Sequence, residues 1–366
     1  MILHSVRAVG FRNIENERVE FSPGVNLLYG NNAEGKTNLL EAIYYFARGK
    51  SFRGAIDREL CGFGRSFYEI EAKFTGGGRK RSLLYRYGGK EKIRKINGAP
   101  ADSAADMIGH FRAVLFHPEH LSLVKGSPAM RREFLNIAIS QVDPSYISLY
   151  AAYQKILDNR NSLLKMASKG LPIEGDEIAV WSERLASYAA KVAYARYRYI
   201  ERLAPYAFDI LSDISEGRER LKIFYECEIE DNIIPFLSEK YATLFMSDIR
   251  REIAVGFTVF GPHHDDIGIT IGDHTAREYA SQGQQRSITL AMKLSEGEVS
   301  NDVSGEYPVF LFDDVMSELD SGRRQYLLSS LGTRQLIVTA CDERDFTVET
   351  ARLIRTHGGK YEAVSE

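Results

Sequence analysis

The period of the apolar positions changes along the chain. Leu3, Val6 and Val9 punctuate the first stretch, and Val25-Asn26-Leu27-Leu28-Tyr29 is a short apolar run closed by Gly30. Residues 1–30 therefore read as strands, with a helix beginning near Lys36. From Phe67 to Ile96, alternating segments are separated by Gly76-Gly77-Gly78 and Gly88-Gly89, which predicts antiparallel strands with glycine turns. Between Pro144 and Ser215 the period becomes helical: Tyr146, Leu149, Tyr150, Tyr153, Ile156 and Leu157 recur three and four residues apart. Past the turn at Gly170-Leu171-Pro172, the positions Ile178, Trp181, Leu185, Tyr188, Val192, Ala195 and Tyr199 form a heptad seam. Two antiparallel helices follow, the second expected to kink or break near Ala204, because Pro205 lacks an amide hydrogen and clashes with the preceding turn. After Gly256, strands return at Phe257-Thr258-Val259 and Ile267 to Ile271, then a helix near 284–299 and a strand at Val309-Phe310-Leu311-Phe312.

The two ends thus read as α/β and the middle as helical. The predicted organisation is one α/β domain formed by residues 1–110 plus 255–366, with a mainly helical domain containing a short antiparallel hairpin inserted at 111–254. A chain of 366 residues has room for such a composite core. No repeat of about 20–50 residues and no low-complexity tract argues for a solenoid or a linker. With 44% hydrophobic and 27% charged residues the composition is that of a soluble protein, and apolar runs such as Val309 to Phe312 are far short of the roughly 20 residues that span a bilayer. The start, Met1-Ile2-Leu3-His4-Ser5-Val6-Arg7, has no signal-peptide pattern. Cys61, Cys227 and Cys341 lie far apart, odd in number and without metal-ligand spacing, which predicts a reducing, cytoplasmic setting. A formal net charge of −3 means that any nucleic-acid contact must come from local basic patches.

The chemistry enters at Gly30-Asn31-Asn32-Ala33-Glu34-Gly35-Lys36-Thr37, which matches G-x-x-x-x-G-K-[ST] between an apolar strand and the helix start Asn38-Leu39-Leu40-Glu41. Glycines let backbone N–H groups curl around phosphate oxygens, and the helix N-terminus adds positive potential. Lys36 would neutralise the β- and γ-phosphates of ATP, and the Thr37 hydroxyl would ligate Mg²⁺. The apolar strand ending in Asp313-Asp314 supplies the expected partner: Asp313 on the magnesium side, Asp314 for the attacking water. Asp314 is one methylene shorter than the glutamate usual at this place, and a misplacement of about 1 Å can cost about a hundredfold in rate, so slow hydrolysis is expected. Thr37 and Asp313 are 276 positions apart, far more than a nucleotide-binding core requires, so something is inserted between them.

Ser281-Gln282-Gly283-Gln284-Gln285-Arg286 opens the next helix and reads as an ABC signature. Ser281 is a good N-cap, Gly283 and Gln284 stand in the first turn, and the helix dipole would face the γ-phosphate of ATP held by the opposite subunit. Ser317-Glu318-Leu319-Asp320 follows the acids as a dimer-facing loop would. Thr339, at the end of Gln335-Leu336-Ile337-Val338-Thr339, stands where transporter ATPases place a histidine; it either hydrogen-bonds the γ-phosphate or is a plain strand end. The predicted fold is an ABC-type P-loop ATPase head with an inserted domain.

Nearly end to end, the chain resembles the RecF family of bacterial recombination and repair ATPases, related to the Rad50 and SMC heads. The residues that carry the resemblance are Phe11-Arg12-Asn13, Gly30 to Thr37, Phe116-His117-Pro118-Glu119, Gly126-Ser127-Pro128 with Arg131-Arg132, Gly261-Pro262-His263, Asp265-Asp266, Ser281 to Arg286, and Asp313-Asp314 through Asp320. The resemblance implies an ATP-dependent homodimer that binds double-stranded DNA or its junction with single-stranded gaps, working with RecR and RecO to load RecA. His120 and His264 stand where the family pattern has an acid and an arginine.

Candidate DNA contacts are Arg79, Lys80, Arg81, Lys90, Lys92, Arg94 and Lys95 in the glycine-turned strands, with Lys50 and Arg53 after the first helix. Arg131 and Arg132 serve either DNA or a lobe interface, and Arg12 is a candidate for the nucleotide phosphates. Two rival readings share the nucleotide motifs. One is the nucleotide-binding subunit of a transporter, against which Thr339 and the long insertion count; the other is a nucleotide-gated scaffold with little turnover.

Overall fold

The apolar run ahead of Gly30 becomes the strand Val25–Tyr29, inside a six-stranded sheet of a computed structural model that describes residues 1–89, 91–173, 176–227, 233–332, 334–342 and 351–364. The chain divides into two units. The first comprises Met1–Val124, Tyr206–Glu219 and Ala280–Glu366, the second Lys125–Pro205 and Arg220–Tyr279.

In the first unit the strand order is Lys360–Ala363, Arg352–His357, Val25–Tyr29, Leu336–Ala340, Val309–Phe312 and Ala113–Phe116. All neighbours are parallel except the antiparallel edge strand Lys360–Ala363. Every residue of Val309–Phe312, Leu336–Ala340 and Ala113–Phe116 is buried, as a parallel sheet covered on both faces requires, and this is why these segments read as unbroken apolar runs. Leu290 and Leu294 of the helix Gln282–Ser304 join Phe310, Phe312 and Val338 in the core. Gly297 of that helix has to be glycine, because a Cβ there would lie 2.4 Å from the Phe310 ring.

A second six-stranded sheet in this unit is antiparallel throughout: Ile14–Glu20, Ile2–Phe11, Tyr68–Gly76, Arg79–Gly88, Glu91–Ile96 and Ala99–Pro100. Tyr68–Gly76 buries alternate residues, the signature of a sheet wet on one face. The helix Lys36–Arg48 buries nearly every side chain after Asn38.

The second unit combines the helices Pro128–Val142, Ser145–Ser168 and the first part of Glu177–Ile214 with a three-stranded antiparallel sheet, Leu221–Glu226, Asp266–Ile271 and His274–Thr275. Its largely apolar interior encloses a polar cluster. Arg160, with no solvent exposure, donates to Ser182, Thr258, the Phe245 carbonyl and the equally buried Glu252. Removing either member of that pair would strand a buried charge, typically at a cost of about 3–5 kcal/mol.

Three features depart from the sequence reading. The boundaries at 110 and 255 separate strands that hydrogen-bond: Ala113–Phe116 pairs with Val309–Phe312 in the first unit, and Asp266–Ile271 with Leu221–Glu226 in the second. The helix Glu177–Ile214 continues through Pro205, with Leu203, Ala207 and Leu211 buried on either side of it. Such burial is worth roughly 1.5–3 kcal/mol for each large side chain and offsets the proline's lost bond. Phe257-Thr258-Val259 is not a strand: Asn161 accepts from the Thr258 amide and Glu252 from the Val259 amide, so side chains take the place of a ladder.

Candidate functional site: a phosphate-loop pocket with an acid pair and a capped signature helix

Gly30 (φ 152°) and Gly35 (φ 117°) hold backbone geometry that a side chain would not tolerate, and a Cβ on Gly30 would sit 2.3 Å from the Thr356 carbonyl oxygen. Between them Asn31, Asn32 and Ala33 are exposed, Ala33 itself at φ 68°. Lys36 Nζ curls back onto the Gly30 and Asn31 carbonyls, at 2.5 and 2.9 Å. The ammonium is therefore already held over the loop whose amides a triphosphate would meet.

The loop is braced from outside. Tyr361 donates its hydroxyl to the Gly35 carbonyl at 2.8 Å, the Gly359 amide donates to the Glu34 carbonyl at 2.8 Å, and the Gly358 amide donates to the Glu34 carboxylate. From the N-terminal side Asn13 Nδ2 also reaches the Glu34 carbonyl, and Asn38 donates to Asn13 Oδ1. The 352–363 hairpin and Asn13 thus fix the loop, a role that the sequence reading did not give them.

Behind the loop, Thr37 Oγ1 donates to Asp313 Oδ1 at 2.9 Å and Thr339 Oγ1 donates to the same oxygen at 3.0 Å. Burial pushes the Asp313 carboxyl above its ordinary range, opposed by those two hydrogen bonds. Thr339 also accepts from the Asp314 amide at 2.9 Å and has no solvent exposure. Both its bonds go to the acid pair, so its surroundings are those of a strand-end anchor and not of a phosphate contact. Asp314 is exposed and sits at φ 54°, a conformation costing on the order of 1 kcal/mol for a non-glycine residue and one that turns the chain sharply after the buried strand.

The fit to a hard divalent cation follows from the donors. Mg²⁺ asks for one or two protein oxygens, with the substrate phosphates and water supplying the rest of its ligands. Thr37 Oγ1 and Asp313 Oδ1 are such oxygens.

Arg12 differs from its expected place. Its Nε and Nη2 each stand 2.8 Å from the carboxylate of Glu41, and Nη1 donates to the Glu59 carbonyl. Glu41, wholly buried, also accepts from Ser51 Oγ and lies 3.8 Å from Arg53. The guanidinium is committed to the helix behind the loop instead of facing a phosphate. A buried acid on an otherwise apolar helix face was the sequence signal for such a partner. Arg53, taken from sequence as a DNA contact, donates to Asn38 at 3.0 Å beside the loop, and Lys50 is exposed at the end of the helix.

Ser281 caps the signature helix as expected: its Oγ accepts from the Gln284 amide at 3.2 Å and Gln284 Oε1 accepts from the Ser281 amide at 2.8 Å. Arg323 then donates to the Gly283 carbonyl and to Ser287 Oγ while pairing with Asp320, and Arg286 pairs with Glu318 at 2.6 Å. The signature turn and the Ser317–Asp320 loop are thereby one hydrogen-bonded assembly.

Among the remaining candidates, Arg79, Lys80 and Arg81 begin one strand of the antiparallel sheet, and Lys92, Arg94 and Lys95 lie on the next. Lys92 pairs with Asp57 at 2.5 Å, the Arg94 Nε is buried without a hydrogen-bond partner, and Lys95 is exposed; Lys90 lies outside the described residues. Arg131 binds Asp266 through Nε and Nη2, and Arg132 donates to the Asp265 carbonyl, so both serve the inside of the second unit. His264 Nε2 lies 3.2 Å from the Thr258 carbonyl oxygen, and the His120 ring packs 3.9 Å from that of His117.

Comparison with known proteins agrees with this geometry. A model of the family described as RecF/RecN/SMC N terminal domain matches residues 2–360. The DNA replication and repair protein RecF of Desulfitobacterium hafniense is 36% identical over 351 residues, 96% of each chain, and that of Halalkalibacterium halodurans 40% over 333 residues, 90% of each. A solved structure titled as the recombination mediator protein RecF-ATPrS in the RecFOR pathway superposes with a TM-score of 0.92 at 33% identity, covering 99% of this chain and 98% of that one. The Smc head domain of Pyrococcus furiosus, at 16% identity and a TM-score of 0.57 over 99% of this chain and 96% of its own, shares the fold alone. With the phosphate loop, the acid pair and the capped signature helix in one unit, and with relatives alike over nearly their whole length, this chain belongs to the RecF family within the RecF/RecN/SMC N-terminal-domain proteins.

Proposed function

We propose that this protein is an ATP-dependent DNA-binding factor of recombinational repair and replication restart, which dimerises around ATP on gapped or double-stranded DNA, hydrolyses that ATP slowly, and acts with RecR and RecO in loading RecA. The observation that carries the reading is the meeting of Thr37 with Asp313, together with a signature helix in the same unit whose capping Ser281 and first residue Gln282 are exposed.

The Gly30–Thr37 amides and Lys36 bind the triphosphate, and Thr37 with Asp313 would hold Mg²⁺, which would offset the negative charge of the phosphates. Thr339 fixes both acids; Asp314, strained and exposed, orients the attacking water and accepts its proton. Arg12 positions the helix behind the loop through Glu41. Ser281, with the amides of the first helical turn, meets the γ-phosphate of the opposite subunit, so dimerisation completes each site. Among the described residues no helix is long and apolar enough to cross a membrane, and work on DNA places the protein in the cytoplasm.

The test is phosphate release with and without duplex DNA, beside mass in solution. Slow turnover raised by DNA together with an ATP-dependent dimer supports the reading. Tight ATP binding without phosphate release would replace it with a nucleotide-gated scaffold, and co-fractionation with a permease would replace it with a transporter subunit.

A further inference from the structure

The antiparallel sheet of the first unit carries a cleft of about 690 Å³ that the nucleotide chemistry leaves unused. Five cations line it: Arg18, Lys73, Lys80, Arg81 and Arg352. Only two of these belong to the basic stretch legible in the sequence. The fold supplies the others, by pairing Lys73 with Ser82 across neighbouring strands and by setting Lys80 opposite Thr75, two residues along on the same face as Lys73. Ser5, in register with Lys73, adds a hydroxyl to the same row.

The charge here is poorly compensated. Glu20 is the one carboxylate of the lining, 3.9 Å from Arg18, with both side chains at least half exposed. Among the described residues Lys73, Lys80, Arg81 and Arg352 make no ion pair, and Arg81 has only the His110 ring at 3.2 Å. The Nε of Arg352 is buried without a hydrogen-bond partner. A cleft lined by one sign of charge focuses the field and raises the local concentration of anions, even on a chain with a net charge of −3. The two phenyl rings of the lining, Phe21 and Phe74, are 6% and 1% exposed and offer no free face for a base to stack on, and the one other ring, His4, is engaged with Thr75 Oγ1. What the cleft can recognise is a run of phosphates.

We propose that this cleft binds the phosphate backbone of double-stranded DNA, independently of base sequence and apart from the ATP pocket; the assignment rests on the DNA-binding reading above. Arg18 and Lys73 are its outer contacts and Arg352 its buried donor.

The experiment compares Arg18→Gln with Lys73→Gln, as a double variant, against a control double variant, Arg7→Gln with Arg86→Gln, whose sites are exposed on the same sheet outside the cleft. Binding of a fluorescein-labelled blunt duplex is titrated at several salt concentrations, with fluorescent ATP and inorganic tripolyphosphate as further ligands. Removing two phosphate contacts should weaken duplex binding by about tenfold or more and lower the slope of log affinity against log salt by about 2. The control variant should stay within about twofold of the parent, and ATP binding should be unchanged in all three. Parent-like duplex binding by the cleft variant would overturn the assignment while leaving DNA binding intact. Loss of tripolyphosphate binding alone would overturn it in favour of a free polyphosphate. A parent protein that binds no duplex would overturn the DNA reading itself, and the cleft with it.

Discussion

Thr339 donates a 3.0 Å hydrogen bond to Asp313 from a position with no solvent exposure, and the same hydroxyl accepts from the amide of Asp314. One small side chain therefore sets the position of both acids. Replacing Thr339 with valine keeps the volume but leaves a buried amide and a carboxylate oxygen each short of a partner. ATP affinity should stay within about threefold while phosphate release falls by about tenfold to a hundredfold, because the acids shift relative to the phosphates. Titration with a fluorescent ATP analogue and single-turnover phosphate release check this; unchanged turnover would return Thr339 to a plain strand end.

The hairpin that braces the phosphate loop gives a second expectation. Tyr361→Phe deletes only the 2.8 Å bond to the Gly35 carbonyl. A neutral hydrogen bond is worth about 1 kcal/mol, so ATP should bind about fivefold more weakly with little change in the unfolding midpoint. Calorimetric titration and thermal unfolding of the same sample separate the two effects, and parent-like affinity would show that the loop holds its shape without the hairpin.

Arg323 couples the signature turn to the Asp320 loop through Gly283 and Ser287. In Arg323→Ala each subunit should still bind ATP normally, whereas the dimer should weaken by about tenfold, in line with the loss of a charged hydrogen-bonding group. Sedimentation at graded protein concentrations with ATP reads this directly. Weaker ATP binding by the monomer would instead mean that Arg323 supports its own subunit's pocket.

The first unit should also be acid-sensitive. Burial, with the nearby charges of Lys293 and Arg48, pushes His117 down to about 4. Because the folded value lies below the ordinary 6.5, the unfolded chain takes up the proton first, and stability is lost as pH falls from about 6.5 toward 4. The loss amounts to at most about 3 kcal/mol. His117→Gln should flatten this part of the curve of urea midpoint against pH, and an unchanged slope would place the sensitivity in other groups.

What was legible in the sequence has a physical pattern. Gly30 to Thr37, Asp313-Asp314 and Ser281 to Gln284 are local strings whose backbone chemistry hardly varies with context, and the unbroken apolar run Val309–Phe312 could only be a strand covered on both sides. The Arg12 pair with Glu41 spans 29 positions, and although an acid inside the apolar run Leu39 to Ile43 calls for a partner, no local pattern says which residue that is. Pro205 follows its local rule only while nothing buries the turns on either side, and here Leu203 and Ala207 do. The unit boundaries depend on which strand pairs with which, as Ala113–Phe116 does with Val309–Phe312, and no local pattern records that. The basic cleft was half visible: Lys80 and Arg81 stand in a charged stretch, whereas Arg18, Lys73 and Arg352 are scattered along the chain.

The most direct test weighs the protein in solution by light scattering, with ATP and with ADP, beside Ser281→Arg. The parent should double its mass with ATP and revert with ADP, while Ser281→Arg binds ATP and keeps the mass of one chain. A parent that saturates with ATP and hydrolyses it as a single chain, or a Ser281→Arg variant that dimerises as the parent does, would contradict the claim that each site is completed by its twin.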